Sequence, residues 1–202
     1  MQARDGIDLV GCTDILAERL SVHGGNDDAF ALKSDWSLGK RIDSRNISLL
    51  DSSLSSNGCN CLQFGSETSG NFREILFKNI TCTQSGKAGI GIQTNDGGNI
   101  SNVHYEDVTL IGATVPISFA SAARAWQRRP PPWRVGVIAN ISFTNVRALN
   151  VSWSRSPWWW PVRTTLAPLN CTKSTKSMML ECSGMLSCSP RSSCCAATDG
   201  ER

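Results

Sequence analysis

Two adjacent carboxylates, Asp27 and Asp28, are the residues of this sequence best suited to proton transfer. Crowding of like charges raises the pKa of one member of such a pair, so one carboxyl can hold a proton while its neighbour is ionised. Both can face one cleft only where the backbone turns, because neighbours on a regular strand point to opposite faces. Gly24, Gly25 and Asn26, which tolerate positive φ, directly precede them. The segment therefore predicts either a solvated acidic turn or a site for acid and base chemistry.

Polar residues farther along the chain could complete a cleft around these carboxylates. Lys33 and Gln93 occupy equivalent positions of the repeat described below. They would lie either on the floor of that cleft or on a solvated outer face. Glu67 falls at the position equivalent to Asp35, so it is either a cleft residue or part of a structural ladder. The residues alone leave these alternatives open.

A segment rich in Arg, Pro and Trp, residues 123–134, interrupts the repeat. Trp rings can stack on sugars, and Arg pairs with carboxylates in two-point geometry. Trp126 and Arg128, together with Arg129 and Trp133, could therefore bind a ligand that carries a carboxylate. The alternative is a surface loop stiffened by Pro. A nucleic acid partner has little support, because residues 1–150 carry no net charge.

An internal repeat predicts the elements that position these residues. Each copy begins at an apolar residue preceded by Asp, Asn or Glu, and a second inward residue follows two places later. Further positions recur at offsets five and seven, and a second short strand follows at offsets fifteen and seventeen. The five copies begin at Ile15, Ile47, Ile75, Val103 and Ile141.

The pattern within each copy alternates like a strand and then changes its inward face, which implies a bend. One copy has too little apolar surface to fold alone, whereas stacked copies bury a continuous core. We therefore predict an all-β protein, a right-handed parallel β-helix. A β-sandwich would instead require hairpin turns every ~8–12 residues. Stacking also aligns residues at equal offsets, among them Asp28 with Asn60.

Length and composition allow one domain of ordinary size, since the chain has 202 residues of which 40% are hydrophobic. The net charge of +3 lies wholly in residues 151–202, which show no apolar periodicity. We predict a β-helix domain over residues 1–150 and a poorly ordered, basic tail rich in Ser, Cys and Trp over residues 151–202. No stretch approaches the ~20 apolar residues of a membrane-spanning helix, and we expect neither a membrane partner nor a signal peptide.

Three segments carry a family resemblance: DGIDLVGCTD at residues 5–14, NDDAFALKS at residues 26–34, and FGSE followed by Ser69-Gly70 at residues 64–70. Over residues 3–150 the sequence resembles glycoside hydrolase family 28, the polygalacturonases. The resemblance implies a right-handed parallel β-helix that hydrolyses O-glycosidic bonds of pectin-like polysaccharides with inversion. It also implies a secreted or cell-wall enzyme that acts as a monomer and needs neither a cofactor nor a metal.

The same resemblance assigns roles to three aspartates. Asp27 protonates the leaving oxygen, while Asp5 and Asp28 hold and deprotonate the attacking water. Asn60 stands where the family has the histidine of its Gly-His-Gly motif, and Gln93 ends the segment that corresponds to Arg-Ile-Lys. Loss of both charges of Arg-Ile-Lys disfavours homogalacturonan. Rhamnogalacturonan or another plant or algal polysaccharide fits at least as well.

The position of Asp5 near the start of the chain contrasts with the family, whose members have several coils before this aspartate. We therefore expect an N-terminally truncated solenoid. The alternative function is a non-catalytic β-helix fragment or pseudoenzyme that at most binds glycan. Four cysteines, Cys12, Cys59, Cys61 and Cys82, show no zinc-binding spacing and are either free thiols or disulfide-bonded.

Overall fold

The computed structural model describes residues 4–36, 39–121, 135–151, 170–174 and 179–188, the last two ranges as backbone only. Within these ranges the regular elements are strands, and none of the described segments forms a helix able to cross a membrane. In chain order the strands are β1 (Ile7–Val10), β2 (Thr13–Glu18), β3 (Ser21–Gly24), β4 (Phe30–Ser34), β5 (Ser44–Ser56), β6 (Leu62–Thr68), β7 (Phe72–Thr94), β8 (Ile100–Ile111), β9 (Ala113–Ser121), β10 (Ile138–Leu149), β11 (Asn170–Ser174) and β12 (Met179–Cys188).

Strands β1 to β10 pair in parallel and form three faces of a β-solenoid. One face contains β1, β4, β6, the end of β7, and β9. A second contains β2 and the first parts of β5, β7, β8 and β10, and the third begins with β3 and continues through the later parts of those long strands. The all-β, parallel β-helix architecture predicted from the repeat is confirmed.

The register of the stack follows the repeat. The first positions of the five copies pair in succession, from Ile15 through Ile47, Ile75 and Val103 to Ile141. In the second series Phe30 pairs with Leu62, Leu62 with Ile90 and Ile90 with Ile117, so Ile117 lies one residue earlier in its copy than its counterparts do. These side chains face the interior because they belong to one continuous apolar core.

The corners of the second face are made by residues with positive φ, a conformation that Asn and Asp adopt more readily than other non-Gly residues. The residue before each copy has this conformation, and so does the residue four places after the start, where the sequence implies a bend. Side chains at these corners also bond between coils, as Asn46 Nδ2 does to Asp14 Oδ1 at 2.7 Å and Asn79 Nδ2 to Asp51 Oδ1 at 2.7 Å. The two series are Asp14, Asn46, Glu74, Asn102 and Asn140, and Arg19, Asp51, Asn79, Asp107 and Asn145.

Aromatic side chains stack along the core. The ring of Tyr105 lies between Phe77 and Phe143, at centroid distances of 4.9 and 5.1 Å, in nearly parallel planes. A disulfide joins Cys61 to Cys82, whereas Cys12 and Cys59 are free thiols. The core is thus held by stacked rings and by one covalent link between consecutive coils.

The described part of the chain after Val151 adds two strands that do not continue the parallel coils. Strand β12 runs antiparallel to β10, and β11 runs antiparallel to β12. They therefore extend the sheet at the C-terminal edge of the solenoid, in agreement with the absence of a coil register in this part of the sequence. The rest of the predicted tail lies outside the described residues.

Candidate active site

The predicted carboxylates collect where successive coils enter the face formed by β1, β4, β6, the end of β7, and β9, which we call the site face. Asp5 lies just before β1, Asp28 just before β4, and Asn60 just before β6. Parallel stacking brings these entry points together because each coil repeats the path of the last. Residues distant in sequence therefore meet at one corner.

The backbone N–H of Asp28 is the point on which the predicted catalytic residues converge. It donates to Asp5 Oδ1 at 2.9 Å and to Asp27 Oδ1 at 3.1 Å. Side-chain oxygens of Asp27 and Asp28 also lie within 4.8 Å of one another. The structure thus brings together Asp5, Asp27 and Asp28.

Asp28 is also the first member of a buried hydrogen-bonded column, which we call the Asp28 ladder. Asn60 donates to Asp28 Oδ1 from both its backbone N and its Nδ2, each at 2.9 Å. Ala88 N then donates to Asn60 Oδ1 at 3.0 Å. The predicted alignment of Asp28 with Asn60 is confirmed. Burial raises the pKa of Asp28 to about 6, while the hydrogen bonds from Asn60 favour the ionised form.

Lys33 holds the other end of the carboxylate cluster. Its Nζ donates to Asp5 Oδ2 and, at 3.0 Å, to Asp8 Oδ2. Burial favours the neutral form of Asp5, but the hydrogen bond and the charge of Lys33 outweigh it and hold the pKa of Asp5 below its usual range. Lys33, predicted as a possible cleft residue, therefore keeps Asp5 ionised. The pKa values of Asp28 and Asp5 are therefore shifted in opposite directions.

Glu67 lies near this cluster for a reason that the sequence did not indicate. Its predicted alignment with Asp35 is wrong, because the pairing shifts from Leu32 with Phe64 to Ser34 with Thr68. Extra residues of β6 therefore lie opposite Lys33, and Glu67 Oε2 comes within 3.9 Å of Lys33 Nζ. The shift adds a further carboxylate to the site.

Cys59 and Lys87 are site residues that sequence reasoning missed. Lys87 Nζ donates to Cys59 Sγ at 2.9 Å, and Cys59 Sγ lies within 4.8 Å of oxygens of Asp27 and Asp28. Three such ligand atoms could approach one metal ion. Burial and then the nearby charge of Asp28 raise the pKa of the Cys59 thiol to about 12, so the thiol is neutral in this structure. The equal spacing of Cys59 and Lys87 from the coil starts was the available signal for this contact.

The remaining predicted residues lie farther away or outside the description. Gln93 is half-buried near the end of β7 and pairs with Ala120. It lies on the outer side of the site face because its neighbour Ile92 belongs to the core, and β6 separates its strand from that of Lys33. Four predicted residues lie outside the described residues: Trp126, Arg128, Arg129 and Trp133.

Comparisons with known proteins do not place the chain in a family. Neither a protein-family model nor a curated protein matches it. The resemblance to glycoside hydrolase family 28 therefore stays a prediction. The geometry establishes a narrower result, a parallel β-solenoid with carboxylates clustered on one face.

Proposed function

We propose that this protein hydrolyses O-glycosidic bonds in a polysaccharide that lies across the site face. The observation that carries the proposal is the single N–H of Asp28 shared by the carboxylates of Asp5 and Asp27. Glycoside hydrolysis needs one carboxyl group that donates a proton and another that is ionised and acts on water or on the sugar. Three carboxyl groups around the N–H of Asp28 meet this need, because the pKa values of Asp5 and Asp28 are shifted in opposite directions.

The environments of the three carboxyl groups support a division of labour. Lys33 keeps Asp5 ionised, so Asp5 is available to orient the attacking water and accept its proton, although the lowered pKa makes it a weaker base. Asp28 is only 6% exposed, whereas Asp27 is half-buried and is the member of the pair that can reach a leaving oxygen. We therefore assign the acid to Asp27, which lies beside the buried Asp28, whose own pKa is raised. The resemblance assigns the same role to Asp27.

The spacing of the carboxyl groups restricts where water can bind. Oxygens of Asp27 and Asp28 lie within 4.8 Å of each other, closer than the ~6.5–9.5 Å usual for the two carboxyl groups of an inverting enzyme. An attacking water would therefore bind against Asp5, outside the gap between Asp27 and Asp28. The family resemblance, and not this spacing, is the basis on which we propose inversion, and ¹H NMR of the first product anomer tests it. Retention would contradict the role given to Asp5.

The proposal is tested by release of reducing sugar from a panel of pectic and other plant or algal polysaccharides. We expect Asp27→Asn and Asp5→Asn to lower the rate by about 10²–10⁴-fold. Asp43→Asn is a matched control, because Asp43 accepts the same type of hydrogen bonds from Asn71 at another corner of the solenoid. Release from no polymer, or equal rates in all variants, would contradict the proposal.

A second candidate function, glycan binding without hydrolysis, is favoured by one contact. Both carboxylate oxygens of Asp5 already accept hydrogen bonds, from Asp28 N and from Lys33 Nζ. A carboxylate held in this way is a weaker base. Binding of a polymer without release of sugar, unchanged in Asp5→Asn, would identify this second function.

A further inference from the structure

Gln63 lies beside the Asp28 ladder on the outer side of the site face. Its neighbours in β6, Leu62 and Phe64, belong to the core, so its side chain points outward. A Cβ built on Gly91, the paired residue of the next strand, would lie 1.9 Å from Gln63 Oε1 and 3.3 Å from Asn60 Cγ. The two carboxamides therefore lie side by side over a glycine, and any larger residue at position 91 would displace Gln63.

The carboxamide of Gln63 is buried without a complete set of partners. Gln63 is only 3% exposed, and its Oε1 has no hydrogen-bond partner. An unpaired buried acceptor is unfavourable, because it has lost its hydrogen bonds to water without gaining another partner. Such an acceptor next to a carboxylate cluster points to a ligand group that donates a hydrogen bond. A sugar hydroxyl is such a donor, whereas an ionised uronate carboxylate only accepts.

The charges of the site also disfavour an acidic ligand. Lys33 pairs with Asp5 and Asp8 and lies 3.9 Å from Glu67. The other lysine of the site, Lys87, donates to the Cys59 thiol and lies near the charges of Asp27 and Asp28. Carboxylates thus outnumber ammonium groups around the corner. A uronate bound here would be repelled by them and would have to compete for lysines already engaged.

We propose that the site takes a neutral polysaccharide rather than a polyuronate, and that Gln63 determines this specificity by accepting a hydrogen bond from a sugar hydroxyl. This inference rests on the proposed function for the reaction but makes a separate claim about the ligand. It assigns to Gln63 a role that neither the carboxylates nor Asn60 fulfil.

Matched polymers test the claim. Homogalacturonan and its carboxyl-reduced product, a neutral α-1,4-galactan, differ only in the charged group. A panel of neutral plant polysaccharides (arabinan, β-1,4-galactan and xylan) and a second polyuronate, alginate, extend the comparison. Binding is measured by affinity electrophoresis and calorimetry with Asp27→Asn, to prevent turnover, and hydrolysis of the same polymers is measured with the wild type.

Variants at position 63 separate specificity from stability. We expect Gln63→Ala to bind the preferred neutral polymer about tenfold more weakly, which corresponds to a loss of about 1.4 kcal/mol in binding free energy. Gln84→Ala is the control, because Gln84 is an exposed glutamine of β7 in the part of the strand that belongs to the third face. Thermal unfolding of both variants shows whether a loss of binding comes from a loss of fold. Gln63→Glu, which keeps the shape and adds a charge, should weaken binding at least as much.

The outcomes are distinct for the two proposals. Tighter binding of a neutral polymer, lost in folded Gln63→Ala and retained in Gln84→Ala, supports the inference. Equal or tighter binding of a polyuronate, or unchanged binding by Gln63→Ala, overturns it even if the wild type hydrolyses that polyuronate, in which case the proposed function stands. Neutral binding without any hydrolysis supports the inference and overturns the proposed function. Binding of no polymer overturns both.

Discussion

Two corners of the solenoid carry almost the same hydrogen-bonded column. At only one of the two does the column lie beside further carboxylates. In the Asp28 ladder, Asn60 donates two hydrogen bonds to the aspartate. In the second column, which we call the Asp43 ladder, Asn71 donates to Asp43 Oδ1 from its backbone N at 2.8 Å and from Nδ2 at 3.1 Å. Both columns lie where coils enter a face.

The surroundings of the two aspartates differ. Asp28 is buried and lies against Asp5 and Asp27. The side chain of Asp43 is 35% exposed, and its Oδ2 lies 3.9 Å from Nη1 of Arg73. The Asp-Asn column is therefore a structural device that satisfies backbone groups at a corner. Of these two corners, the one at Asp28 also has the added carboxylates and the burial on which the proposed function rests.

The largest expected effect comes from the disulfide, because Cys61 follows Asn60 directly and links the Asp28 ladder to the next coil. Replacing Cys61 and Cys82 by Ala should lower the free energy of unfolding by about 3 kcal/mol, mainly by freeing the unfolded chain. Urea denaturation measures this. Cys12→Ala, at a free thiol, is the control and should change stability much less. Equal effects of the two changes would show that the disulfide contributes little.

The pH dependence of stability should distinguish the two aspartates. The folded pKa of Asp28, about 6, lies above its ordinary value of 3.8. Its contribution is therefore fully present below the ordinary value and is lost as the pH rises through 6, at a cost of about 3 kcal/mol. Asp5, whose pKa is lowered, acts in the opposite sense and loses its contribution as the pH falls.

Denaturation of the wild type and of Asp28→Asn from pH 4 to 7 measures this term. The difference in free energy of unfolding between the two proteins should change across this range, whereas Asp43→Asn should keep the slope that Asp28 gives the wild type. A constant difference between the wild type and Asp28→Asn would contradict the raised pKa.

Removal of the asparagine from each ladder should have unequal effects. Asn60→Ala leaves the N–H of Ala88 without its acceptor and removes one donor from Asp28 in a buried site, which should cost about 2 kcal/mol. Asn71→Ala likewise leaves the N–H of Asn99 without its acceptor, but at a half-buried corner, and should lower the free energy of unfolding by about 1 kcal/mol. Only Asn60→Ala should also lower hydrolysis or glycan binding. Equal losses of activity would remove the distinction between the ladders.

The smallest effect is expected at Arg73. Its pair with Asp43 is long, and both side chains are substantially exposed, so Arg73→Ala should change stability by less than about 1 kcal/mol. Arg73→Lys is the control that retains the charge. A loss of several kcal/mol in thermal or urea unfolding would show that the Asp43 ladder depends on its cation as strongly as Asp5 is expected to depend on Lys33.

Much of the fold could be predicted from the sequence because stacked coils repeat their apolar positions. Ile15, Ile47 and the later starts pair as the repeat predicts, and the same register predicted the contact between Asp28 and Asn60. Glu67 could not be placed, because the shift between Leu32 and Ser34 is a local backbone event that a constant offset does not describe.

The site residues that could not be predicted from the sequence were missed for a different reason. Asp8, Cys59, Gln63 and Lys87 have residue types common on solvated surfaces or in cores, and nothing local marks them as functional. They become relevant only through partners about one coil away, such as Lys87 for Cys59. The directions of the pKa shifts were equally inaccessible, since they depend on burial and on the position of Lys33.

The corners with positive φ have a consequence for covalent modification. Asn46 and Asn79 lie in Asn-Ile-Ser and Asn-Ile-Thr, the acceptor sequence for N-linked glycans. The nitrogen that would carry a glycan is the one that donates to Asp14 or Asp51 between coils. An attached sugar would leave this nitrogen with a single N–H, so the glycan and the bond between coils would have to share one donor group.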